Sequence, residues 1–66
     1  MKTLLEFINM TGLRRGATCK EVVKIAARYF SHDEMTGLEE NHVLGDIVGY
    51  FLIDPEEWHF TYQNLI

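Results

Sequence analysis

No lysine or arginine occurs after Arg28. Residues 1–30 hold all six basic residues against Glu6 and Glu21, a net of +4, and residues 31–66 hold eight acids, a net of −8. With so acidic a second half, strong independent DNA binding is not expected. Two readings of the asymmetry are open: the halves pair internally and aid solubility, or the acidic surface engages a basic partner. Cysteine is nearly missing as well. Cys19 alone cannot build an internal disulfide framework, and it agrees with a reducing compartment. Long apolar runs are missing. The longest, Ile47 to Ile53, has seven residues, far below the ~18 needed to span a bilayer. Glu6 interrupts any signal-peptide core, so a cytoplasmic protein is expected. There is no Gly-x-Ser-x-Gly, no phosphate-binding glycine loop and no zinc-ligand spacing.

These absences, with a length of 66 residues, point away from an enzyme. A chain this short buries only ~60% of its unfolded surface and rarely encloses a deep pocket beside its core. No cofactor is expected. Hydrophobic residues make up 47% of the chain, which is too high for disorder. One domain over residues 1–66 is expected.

The stretch Leu38–Ile53 organises the rest. Val43, Leu44, Ile47, Val48, Phe51 and Leu52 recur with the 3.6-residue period of one helix stripe, and Glu39, His42 and Asp46 fall opposite. Gly45 and Gly49, four apart, share one face. They fit the close passage of another helix or of a partner's backbone.

Thr3 and Glu6 form a candidate capping box for a first helix from about Leu4 to Thr11, with Leu4 or Leu5, Ile8 and Phe7 as its buried set. Gly12 suits a left-handed stop, and Arg14 and Arg15 lie exposed in the linker. Thr18 and Glu21 open a second helix, Cys19–Phe30. Cys19, Val22, Val23, Ala26, Tyr29 and Phe30 form its apolar side, and Lys20, Lys24 and Arg28 a basic ridge. Ser31 and Glu34 form a third box, and Thr36 with Glu39 a possible fourth. Either one helix starts at His32 and kinks near Gly37, or a short turn precedes the central helix; of the two, a continuous or nearly continuous helix from His32 to Ile53 is predicted. Asp54 as N-cap with Pro55 at the first helical position starts a last segment. Trp58, Phe60 and Tyr62 alternate as in a strand, yet no convincing partner strand exists, so a short final helix is predicted, with Trp58 capping the core. The fold class is all-α: a single-domain bundle of about four helices around a long central one.

Two constellations have ordinary explanations. Glu39, His42 and Asp46 converge if they share one helix, but carboxylate-rich metal sites draw ligands from several helices, so a solvated face is expected. Cys19 sits in a first helical turn, where the helix dipole lowers a thiol pKa, but no base accompanies it and a small buried role is expected.

Four landmarks resemble the Hha/YmoA family of small helical gene-expression modulators of enteric bacteria. Leu13-Arg14-Arg15 with Thr18 is similar to that family's Leu-Arg-Arg/Lys-x-x-Thr. Ser31-His32-Asp33-Glu34 is similar to its Ser-Asp-x-Glu. Asn41-His42-Val43-Leu44-Gly45-Asp46-Ile47 is similar to Asp-His-Arg-Leu-Ala-Glu-Leu, and Pro55 precedes Trp58 and an aromatic tail. The resemblance implies a four-helix, non-enzymatic module that binds the oligomerisation region of the nucleoid protein H-NS. The family's aspartate before histidine, a contact to an H-NS arginine, is Asn41 here, and its following arginine is Val43. The expected partner is therefore a protein with a basic surface, an H-NS-like nucleoid protein or another DNA-handling protein. It would be engaged through Glu39, Asn41, His42 and Asp46 with Arg14 and Arg15 nearby. A phage- or plasmid-encoded acidic inhibitor that imitates DNA phosphate is the alternative.

Overall fold

The computed structural model describes residues 3–66, which form an all-α domain. Five helices follow one another: α1 (Leu4–Thr11), α2 (Cys19–Ala26), α3 (His32–Thr36), α4 (His42–Tyr50) and α5 (Pro55–Leu65). A single 3₁₀ turn, Leu38–Glu40, lies between α3 and α4. Helices α2 and α5 pack most extensively, and α4 lies against α1 and the 3₁₀ turn.

Each start is set by a short polar side chain. Thr3, Thr18, Ser31, Asn41 and Asp54 are extended, and each accepts a backbone N–H of the first turn. Of the expected boxes only Ser31–Glu34 is reciprocal, with the Glu34 carboxylate accepting from Ser31 N at 2.9 Å. Thr36 forms no cap. Its hydroxyl donates back to the carbonyls of His32 and Asp33. Gly12 closes α1 at φ +72°, its N–H donating to Ile8 O.

The long helix predicted from His32 to Ile53 is instead three pieces. Gly37 (φ −99°, ψ 51°) leaves helical geometry, and Asn41 is extended (φ −117°, ψ 112°). Asn41 Oδ1 accepts from Leu44 N at 3.0 Å, so the asparagine starts α4 instead of continuing a helix through it. The breaks let Met35, Leu38 and Leu44 all reach the core. The second helix is also shorter than expected. After Ala26 the bonds tighten to Arg28 N→Ile25 O and Tyr29 N→Ala26 O, because the chain must become extended at Ser31 to cap α3. Phe30 is still buried, 6.2 Å from Phe7 between ring centroids, whereas Tyr29 is partly exposed.

The core matches the central stripe at Val43, Leu44, Ile47, Val48 and Phe51, but not at Leu52. Helix α4 ends in a paired closure, Ile53 N→Val48 O and Leu52 N→Gly49 O, that puts Leu52 in the left-handed region at φ +57°. Leu52 is thereby 86% exposed and Ile53 buried. In α1 the buried residue is Phe7; Leu4 and Ile8 pack at the core's edge and Leu5 is exposed. Trp58 is fully buried, and its indole N–H donates to Met35 O at 3.2 Å, satisfying a carbonyl at the end of α3. The final segment is helical, with Trp58 and Tyr62 on its inner face.

Candidate partner interface

The acidic surface is built from α3, the 3₁₀ turn and the start of α4. Asp33 and Glu34 stand in the first turn of α3, where the exposed amides favour negative charge. Glu39 and Glu40 project from the 3₁₀ turn, and His42 and Asp46 lie one turn apart on α4; all six are exposed. Asp33, Glu34, Gly37, Glu40 and Asn41 line a shallow hollow. Gly37 fits tightly there, since a Cβ would stand 3.0 Å from Asp33 O.

The polar contacts of these acids stay local. Glu34 accepts from Ser31 N and from Asn41 Nδ2 (3.0 Å), and Asp54 accepts from Glu56 N. No lysine or arginine among the described residues pairs with any acid of the second half. Among the described residues, then, the two halves are not joined by ion pairs.

The candidate residues are brought together only in part. Glu39 is separated from His42 and Asp46 by the break at Asn41, so the three do not share one helix. Among the described residues no group of three or more His, Cys, Asp or Glu could hold a metal ion. Asn41 is half-buried, with its carbonyl oxygen occupied by Leu44 N and its amide by Glu34. Arg14 is exposed in the linker, its carbonyl accepting from Ala17 N. Arg15 stacks on Tyr50, its guanidinium carbon 4.4 Å from the ring centroid. That places one linker arginine beside the C-terminal end of α4, where cations are favoured. No local pattern signals this contact, because 35 positions of chain separate the two residues.

Three further features bear on function. A Cβ at Gly45 or Gly49 would meet nothing within 4 Å, so no other described element passes close to either glycine. His32 Nδ1 and Tyr62 OH are 2.9 Å apart, linking α3 to α5. Cys19 Sγ donates to Thr61 Oγ1 at 3.5 Å. Burial pushes the Cys19 thiol above its ordinary pKa and the Glu57 charge adds to this, against the lowering by Thr61. The expected lowering at the start of a helix is overridden by desolvation. No helix among the described residues is long and apolar enough to cross a membrane. No family model, curated protein or solved structure matches the chain.

Proposed function

We propose that this chain is a small protein-binding module that acts in the cytoplasm as a modulator of transcription. Its acidic face docks on a basic surface of a nucleoid-associated protein, and it carries no catalysis of its own. The observation that supports this reading is the row of exposed carboxylates, Asp33, Glu34, Glu39, Glu40 and Asp46, none paired with a lysine or arginine of the described residues. A surface of unbalanced charge steers a complementary partner and rejects like-charged ones. The resemblance to the Hha/YmoA modulators supplies the class of partner. Asn41, the position matching that family's contact aspartate, is engaged in capping α4, so the load on this face shifts to Glu39, His42 and Asp46.

The test begins with capture of partners by the tagged protein from an enterobacterial lysate at low salt. Affinity for the captured protein is then measured with the E39K/D46K double variant. The expected result is a nucleoid protein in the eluate and a loss of about tenfold or more in affinity, with helical content unchanged. Unchanged affinity would remove this face from the interface.

The alternative is an inhibitor that presents the acidic row as a partial mimic of DNA phosphate. The succession of exposed acids along α3, the 3₁₀ turn and α4 favours it. It requires that the chain compete with DNA for its target and that binding weaken steeply with salt. A target whose DNA affinity is unaltered by this protein would eliminate it.

A further inference from the structure

The solvent side of α5 carries an apolar side chain that the fold leaves bare. Phe60 is 69% exposed, on the face opposite the buried Trp58 and Tyr62. Beside it runs a groove between α5 and the start of α2, lined by Lys20, Phe60, Thr61, Asn64 and Leu65. Leu65 is itself partly exposed. One ionisable group, Lys20, borders the groove, against the half of α5 that follows Phe60. The half that precedes Phe60 carries Glu57, whose charge is felt by Cys19 of α2, so it lies on the same α2 side. Neither Lys20 nor Glu57 has an ionic partner among the described residues.

The charges are thus arranged along α5 with opposite signs on the two sides of Phe60. At 1.5 Å rise per residue, Glu57 and Asn64 lie about 10 Å apart along the axis. Such an arrangement is complementary to itself after a half-turn about an axis perpendicular to α5 near Phe60 and Thr61. The half-turn sets two α5 helices antiparallel and brings Lys20 of each copy to Glu57 of the other. It keeps both charged flanks on the same side of the pair. A parallel two-fold pairing would put the two charged flanks on opposite sides of the pair, so that neither Lys20 would meet a Glu57. Antiparallel helices packed at 8–10 Å also let each Phe60 ring reach across to Leu65 of the other copy.

We infer that this face of α5 is the interface of an antiparallel, two-fold homodimer, with Phe60 at its centre and two intermolecular Lys20–Glu57 pairs at its ends. A two-fold contact of this kind closes on itself, so association stops at two copies. The patch is small, which puts the dimer at the weak, concentration-dependent end of protein association. It uses none of Glu39, Asn41, His42 or Asp46, so it stands or falls independently of the partner surface proposed above.

The test is the mass of the full chain by sedimentation equilibrium at low salt, from about 10 µM to about 1 mM, a range suited to a weak interface. The expected mass rises from 7.7 kDa towards twice that value and no further. Phe60→Asp, at an exposed position, keeps the helical circular dichroism and remains monomeric throughout. K20E and E57K each weaken the dimer about tenfold, and the K20E/E57K double variant recovers most of that loss, because the pairs re-form with reversed sign. A wild-type mass fixed at 7.7 kDa would overturn the proposal. So would a dimer that survives Phe60→Asp, or a double variant no tighter than the single ones.

Discussion

Leu52 is the residue whose conformation conflicts most with its side chain. A leucine at φ +57° sits where Cβ crowds the following carbonyl, at a cost of ~1–2 kcal/mol, and glycine is the usual occupant of this place after a helix. Being 86% exposed, the side chain recovers little by packing. Leu52→Gly should therefore raise stability by about 1 kcal/mol, worth roughly 4–8 °C in a domain of this size. Thermal unfolding by circular dichroism reads this directly, and a lower melting temperature would show that the leucine contributes contacts beyond those described. Trp58 is the opposite case. Its ring is fully buried and its N–H holds Met35 O, so Trp58→Ala removes a large core volume and a hydrogen bond together. The expected cost of ~3–5 kcal/mol is enough to unfold much of a domain this small. A normal melt would show α5 to be peripheral. Cys19 gives a pH-dependent expectation. Its folded pKa is raised, so the folded state holds the thiol proton more tightly than the unfolded chain does. The resulting stability is complete below the unfolded thiol pKa of ~8.5 and is lost as pH rises through the folded value. Modification by a disulfide reagent should accordingly reach half its limiting rate at a higher pH than for a free cysteine peptide. Half-reaction at or below ~8.5 would contradict the desolvation argument.

At the scale of the element, the separation of α3 from α4 decides the shape of the acidic face. The two residues responsible are Gly37 and Asn41. Replacing Asn41 by alanine removes the cap on Leu44 N and the contact to Glu34, an expected loss of ~0.5–2 kcal/mol. Asn41→Asp should keep the cap, because aspartate caps as well as asparagine does, while setting a second carboxylate beside Glu34. A chemical-denaturation midpoint for Asn41→Asp well above that of Asn41→Ala is the expected order, and equal midpoints would show that the cap is not what holds this turn. The starts of helices were legible in the sequence because each depends on a few adjacent residues: Thr3, Thr18, Ser31 and Asp54 all cap as their spacing suggested. The break at Asn41 was not legible. The apolar stripe begins only at Val43, after the break, and asparagine both caps helices and is tolerated within them, so the capping of Leu44 N by Asn41 together with the burial of Leu38 and Leu44 on the two sides selects the broken form. The same limit applies to the candidate site. Glu39, His42 and Asp46 were recognisable as exposed charges, but their placement depended on a continuous helix that does not form. The stacking of Arg15 on Tyr50 and the exposure of Phe60 are set by how elements meet, which no local pattern encodes.

At the scale of the whole molecule, the described residues carry the charge asymmetry without ion pairs between the two halves. Asp33, Glu34 and Glu40 line a single hollow, Glu39 is exposed on the adjoining 3₁₀ turn, and no described lysine or arginine pairs with them. Like charges so close repel, and exposed charges are screened over a Debye length of ~10 Å at 0.1 M salt. Had the two halves been joined by ion pairs, salt would weaken those pairs and lower stability. In the arrangement observed, salt relieves repulsion instead. The melting temperature should therefore rise as sodium chloride is raised from about 10 mM to about 300 mM, a range over which the Debye length shortens from ~30 Å to well below 10 Å. The E39K/D46K variant, with part of the repulsion removed, should respond less. The sign of this slope discriminates between the two ways a chain can carry a basic and an acidic half. A melting temperature that falls with salt would mean that attraction between the halves outweighs the crowding of the acids. The face would then be less available to a partner than its exposure suggests. A rise that is blunted in the double variant would locate the unrelieved charge on the surface proposed to dock, where a basic partner would relieve it as salt does.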